Sequence, residues 1–492
     1  MRNIYILIAL ITISLFAGSV EARKPSDIHT WSVSSYDLKH LKTALREYGR
    51  GNWQSKILRD YNPRDPVIQK ILKWKEYVSA SPGTNFNEIT EFIRYNPNWP
   101  FQETLRENAE SAITSVTDPD DIIKWFAINA PILDSKIRFK KPLTAYGKRM
   151  LAEAMIKRSN KYKIDKSLIV TLIKEAYVET NFNPKTEKQF LSRYWKILTQ
   201  KDHRLRVDRL LTDRRITDAT RIVKYLDKGY KRIFEARKRL IRDKPGVDQA
   251  IAAVPPHLRN DSGLVYERVK WRHRRGREED VIELIRKLPK NVTHPENWWG
   301  LRKLYIRKLI KQERYMDAYY LARYHSFKAN RYKIAEAEWF AGWLSHSFIN
   351  NYTQAFKHFK NIYNVAETPI SLARANYWMG RSLEAKGQKP AADRWYRNAA
   401  KFQATFYGQL ASIKIGKDEF DFPIPSSVSN RDLKAYRNNE VAKAASIMMQ
   451  IGYNRYGKHF LKKASEQAQS PGERILVAPS ELLKEFTVRT VK

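Results

Sequence analysis

The chain has 492 residues, 42% of them hydrophobic, with only 18 glycines and 21 prolines. This composition excludes global disorder and a loop-rich sandwich, and the length admits two or three ordinary domains or one long repeat array. A formal net charge of +39 attracts a polyanion or an anionic surface, while the absence of cysteine excludes disulfides, thiol catalysis, Cys-ligated zinc and a lipid-modified cysteine anchor.

The first 22 residues read as a secretory signal peptide. Arg2 supplies the positive start, Ile4 to Ala17 is an apolar run, and Val20-Glu21-Ala22 fits a small-residue cleavage site. The alternative is an uncleaved anchor, but the run is shorter than the ~20 residues a spanning helix needs. Export to the periplasm argues against nucleic acid as the partner and leaves no stable membrane span after cleavage. Anionic lipid and the carboxylate-rich peptide stems of a cell wall stay open as anionic partners.

Helical periodicity then dominates. Asp27 to Lys140 reads as helical without a clear repeat, and the breaker clusters Ser79–Thr84, Asn96–Pro100 and Asn181–Pro184 should interrupt helices. A repeat follows. Ala219, Ala250 and Val281 fall 31 residues apart, and Val281, Ala318, Ala355 and Ala392 fall 37 apart. Four residues after each stands an apolar partner: Val223, Val254, Ile285, Ala322, Phe359 and Tyr396. An i, i+4 pair shares one helix face, so each small residue admits a close neighbour. Gly276, Glu313, Asn350 and Gly387 sit five residues ahead of the last four, in the predicted turn. The pattern predicts an all-α, right-handed superhelical solenoid of stacked helical hairpins, tetratricopeptide-like, over residues 23–425 and clearest over 208–416. Pro423 and Pro425 break the array, and residues 426–492 read as a helical linker segment with helices near Glu440–Ile451 and Tyr456–Ala468.

The stretches Ala373-Arg-Ala-Asn-Tyr-Trp-Met-Gly-Arg-Ser-Leu-Glu-Ala385, Thr405-Phe-Tyr-Gly-Gln-Leu-Ala411, Ala335-Glu-Ala-Glu-Trp-Phe-Ala-Gly-Trp343 and Pro295-Glu-Asn-Trp-Trp299, with Asp208-Arg-Leu-Leu211 upstream, resemble the superhelical region of soluble lytic murein transglycosylases. The resemblance implies a U-shaped helical body in the periplasm, associated with peptidoglycan. In that family a C-terminal lysozyme-like domain cleaves the glycan through a Glu-Ser motif followed by Gly-Leu-Met-Gln. Neither motif is found here, so the resemblance implies a scaffold lacking its own catalytic domain, served by a separately encoded one or left by a truncated gene.

Three features bear on chemistry. Leu172-Ile-Lys-Glu-Ala-Tyr-Val-Glu179-Thr-Asn resembles the setting of the family's catalytic acid, but Thr180 replaces the serine. Glu179 is therefore a candidate acid in an otherwise non-catalytic chain, and an active murein-cleaving enzyme using it stays open as an alternative, beside a general protein-interaction solenoid. Trp298, Trp299, Tyr377, Trp378, Arg381 and Tyr407 are candidates for contacting glycan, with packing between helices as the competing role. Gly452 to Lys458 mimics a phosphate loop, but His459 stands where the magnesium-binding hydroxyl should be and a helix precedes it. No spacing suggests a metal, and no cofactor is expected.

Overall fold

A computed structural model describes residues 31–128, 137–288, 292–417 and 428–477. The expected signal peptide and the break at Pro423 and Pro425 lie outside the described residues. Among the described residues there are twenty-six α-helices, and the sole β feature is an isolated antiparallel bridge between Ala127 and Phe139. No described helix is long and apolar enough to cross a membrane. The chain divides into two compact units.

One unit combines residues up to 117 with those from 425 onward. The helices after the proline break, Asn430–Asn438, Glu440–Gln450, Asn454–Gln467 and Pro471–Val477, join Ser35–Arg50, Pro66–Val78, Phe86–Tyr95 and Gln102–Ser111. The segment read from sequence as a linker is thus part of a packed body. Its core is aromatic: the Phe460 ring lies 5.0 Å from Trp74 and 5.2 Å from Trp99. Trp99 Nε1 donates to Glu440 at 2.8 Å, and Lys443 pairs with Asp65 at 2.6 Å. Asp65 also caps Pro66–Val78, accepting from the Val67 amide, with Pro66 at the first helical position. Of the segment resembling a phosphate loop, only Gly452, in the left-handed region, and Tyr453 lie between helices, and Asn454 to Lys458 open the Asn454–Gln467 helix.

The second unit spans residues 118–424 and holds the repeat. From Pro295 onward the helices Pro295–Lys311, Tyr315–Arg323, Arg331–Ser347, Tyr352–Val365, Pro369–Glu384, Lys389–Ala400 and Phe406–Lys414 each pack on the next. Ala219, Val281, Ala318, Ala355 and Ala392 are all buried, as are Ile285, Ala322, Phe359 and Tyr396. The reason for small residues is close approach. An added Cβ on Gly342 would meet the Phe359 ring at 2.7 Å, and one on Gly380 would meet Tyr396 at 2.6 Å. In these two pairs the apolar residue, Phe359 or Tyr396, therefore seats against a glycine of the preceding helix.

The turn position also repeats. Arg214, Gly276, Glu313, Asn350 and Gly387, each five residues before a small residue, have φ of 63°, 69°, 59°, 58° and 74°. Each follows a helix end and frees the chain to reverse. At four of them the next amide bonds back five residues: Arg215 to Leu210, Arg277 to Arg272, Arg314 to Leu309 and Gln388 to Leu383, at 2.8–3.1 Å. These 6→1 bonds satisfy helix-end carbonyls in the Schellman manner. The 31-residue part of the pattern is weaker. Ala250 and Val223 are only partly buried, and the helices there, Ile216–Ile222 and Val247–Ala252, are short.

Candidate functional site

Four of the residues predicted to face glycan come together. Tyr377, Trp378 and Arg381 share the Pro369–Glu384 helix, and Tyr407 opens Phe406–Lys414. The i, i+4 spacing places Arg381 to donate to the Tyr377 hydroxyl at 3.4 Å, with its guanidinium 5.8 Å from the Trp378 ring. Tyr377 stands 5.5 Å from Tyr407, and Trp378 stands 5.5 Å from Trp339. Arg374 covers the Trp339 ring at 4.6 Å. Tyr377 is buried, whereas Trp378, Arg381 and Tyr407 are half-buried. Trp378 Nε1 has no hydrogen-bond partner.

A polar ladder continues from this cluster. Arg381 pairs with Glu384 at 3.5 Å, and Glu384 accepts from the Tyr396 hydroxyl and the Lys414 ammonium, both at 2.9 Å. Burial pushes the Tyr396 hydroxyl well above its usual range, reinforced by Glu384. Burial also raises Glu384, but hydrogen bonds from Lys414 and Tyr396 outweigh it and hold the carboxyl low. Glu384 is thus ionised at neutral pH and keeps Arg381 oriented.

Trp298 and Trp299 lie elsewhere, on Pro295–Lys311, exposed by only 1% and 2%. Trp298 sits edge-on to Tyr266 at 5.0 Å, and Trp299 contacts Phe327 at 5.7 Å while donating its indole N–H to Glu336. Their rings serve the core between helices, and no sugar can stack on faces closed in this way.

Glu179 ends the Lys166–Glu179 helix, and Glu175 lies one turn before it. Both face Lys148 of Ala145–Lys157: its ammonium donates to the two Glu179 oxygens at 2.6 and 2.7 Å and lies 2.8 Å from Glu175. Lys148 is buried at 4% exposure, whereas the Glu179 side chain is 43% exposed. Burial alone would lower the lysine's pKa, but the two carboxylates outweigh it and raise it. A general acid needs a proton to give and an apolar pocket to keep it there. Glu179 has instead an open flank and a fixed cation. Lys148, 31 residues away in sequence, carried no signal that would have found it.

No protein-family model matches the sequence, and no curated protein sequence matches it. Solved structures do. The X-ray structure of an inactive mutant of lytic transglycosylase Slt from Pseudomonas aeruginosa matches with a TM-score of 0.50 and 13% identity, over 93% of this chain and 70% of that one. The 70 kDa soluble lytic transglycosylase from Escherichia coli matches with a TM-score of 0.38 and 12% identity, over 92% and 70%. A complex of the 70 kDa soluble lytic transglycosylase with bulgecin A gives 0.39 and 12%, over 93% and 70%. The likeness to the Pseudomonas aeruginosa enzyme, joined to the paired helices and their repeated turns, gives this chain the all-helical, superhelical fold of a soluble lytic transglycosylase.

Proposed function

We propose that this chain is a peptidoglycan-associated superhelical scaffold of the soluble lytic transglycosylase kind, exported to the periplasm through the signal peptide at residues 1–22. The fold shared with a lytic transglycosylase over 93% of the chain carries this reading. The net charge of +39 supports it, because murein stem peptides bear free carboxylates. In this reading Trp378, Arg381 and Tyr407 offer the half-buried aromatic and cationic surface toward the wall.

Glycan cleavage is assigned to a lysozyme-like domain outside these residues. Glu179, the one carboxylate in a matching sequence setting, acts as the counter-ion of Lys148. The test is purified residues 23–492 with isolated sacculi. The protein should pellet with them in a salt-sensitive way, since screening lengths shrink to ~8 Å near 0.15 M salt. No soluble muropeptides should appear by chromatography, with or without Glu179→Gln. Anhydro-sugar products that vanish in that variant would establish an enzyme instead, and failure to pellet at low salt would favour a solenoid for protein partners.

A further inference from the structure

The Lys389–Ala400 helix places Lys389, Asp393 and Arg397 four residues apart, with Lys401 at the next step just past its end. That spacing sets all four on one face. Lys414 and Lys417 meet that face from the end of Phe406–Lys414, and together they line an open cleft of about 560 Å³ whose apolar lining is Ala400 and Ile415. Five cations therefore face one acid. Lys414 is tied to Glu384, and among the described residues no ion pair engages Lys389, Arg397, Lys401 or Lys417. Like charges held together in this way repel one another unless an anion enters, and clefts focus such a field.

The spread of the cations narrows the ligand. Lys389 and Lys401 stand at the two ends of the Lys389–Ala400 helix, about 18 Å apart along its axis, with Arg397 between them. A compact anion such as phosphate meets only one part of such a row, whereas a peptide spreads its carboxylates along its length. We propose that this cleft binds a short peptide carrying two or more free carboxylates, held by the Lys389, Arg397 and Lys401 edge. This deepens the murein reading above and rests on it: the stem peptide is the wall component of that chemistry.

The experiment is calorimetric titration of the full chain with a synthetic murein stem peptide at low salt, alongside the same peptide with its carboxylates amidated. Inorganic phosphate at equal ionic strength is the third probe. Lys389→Glu/Lys401→Glu is compared with Lys357→Glu/Lys360→Glu, which makes the same charge change on exposed positions of Tyr352–Val365. All four sites are exposed, and unchanged melting temperatures confirm that both variants fold. The cleft variant should bind the free peptide at least tenfold more weakly, the control variant like the parent, and the amidated peptide and phosphate at least tenfold more weakly than the free peptide. Equal losses in both variants would overturn the cleft in favour of diffuse attraction, and phosphate binding as tight as the peptide would overturn the peptide assignment. Sacculus pelleting without peptide binding would overturn the cleft and leave the scaffold standing. Loss of both would remove the scaffold too.

Discussion

The His294 ring nitrogen Nε2 lies 3.1 Å from the Asp208 carboxylate, across 86 residues of chain. Asp208 belongs to Gln200–Thr212, and His294 precedes Pro295–Lys311 with φ of 51°. Arg237 reaches the same carboxylate at 2.6 Å, and an added Cβ on Gly263 would meet the Arg237 guanidinium at 2.3 Å. The glycine thus leaves the room in which the pair forms. Burial would raise Asp208, but His294 and Arg237 outweigh it and hold the carboxyl at about 2. The hydrogen bond to Asp208 raises His294 against the opposing effect of burial.

A raised histidine adds stability that is complete below its ordinary pKa of 6.5 and is lost as pH rises through the raised value. His294→Asn should therefore melt lower than the parent at about pH 5.5, with the gap closing toward about pH 8.5. Solvent screening at a side chain 37% exposed limits the loss to about 1 kcal/mol. A gap that widens with pH would contradict this sign.

Glu338 behaves in the opposite sense. It is hydrogen-bonded to His325, His358 and Asn361, and these bonds outweigh burial to hold its carboxyl at about 2. A depressed carboxyl adds stability above its ordinary value of 4.5, lost as pH falls toward the folded value. Glu338→Gln should cost about 1–3 kcal/mol at pH 7, the price of an unsatisfied buried network, and progressively less from about pH 4.5 down to pH 2. Urea melts at several pH values would show it.

The seams between helices have no spare volume. Ala355 and Ala392 are exposed by 0% and 1%. Ala355→Trp or Ala392→Trp should destabilise by about 1–3 kcal/mol or more through overpacking. An unchanged melting temperature would show that these positions are not seams.

Glu313 and Asn350 hold left-handed backbone at φ of 59° and 58°, where the equivalent turns use Gly276 and Gly387. Glu313→Gly should raise stability by about 0.5–1 kcal/mol, since a side chain there costs roughly 1–2 kcal/mol and glycine's extra unfolded-state freedom returns part of that. Asn350→Gly should gain less, because asparagine tolerates this region better. Thermal melts of the two variants would rank them.

Periodicity made the helices and their stacking legible. Small residues at spacings of 31 and 37, with turn residues five positions ahead, follow from how closely two helices can approach and how a chain reverses, and both rules act within about forty residues. The same reading put Glu440–Ile451 within one residue of the observed Glu440–Gln450. Exposure was not legible. Trp298, Trp299 and Trp378 look alike in sequence, and only packing closes the first two while leaving the third half-open. Nor was the partner of Glu179: pairing it with Lys148 depends on two helices meeting side by side, as the Asp208–His294 contact depends on several more. The joining of residues 428–477 to the first helices was also decided in three dimensions, because apolar faces such as those of Trp74, Trp99 and Phe460 record that they need cover but not which distant segment supplies it.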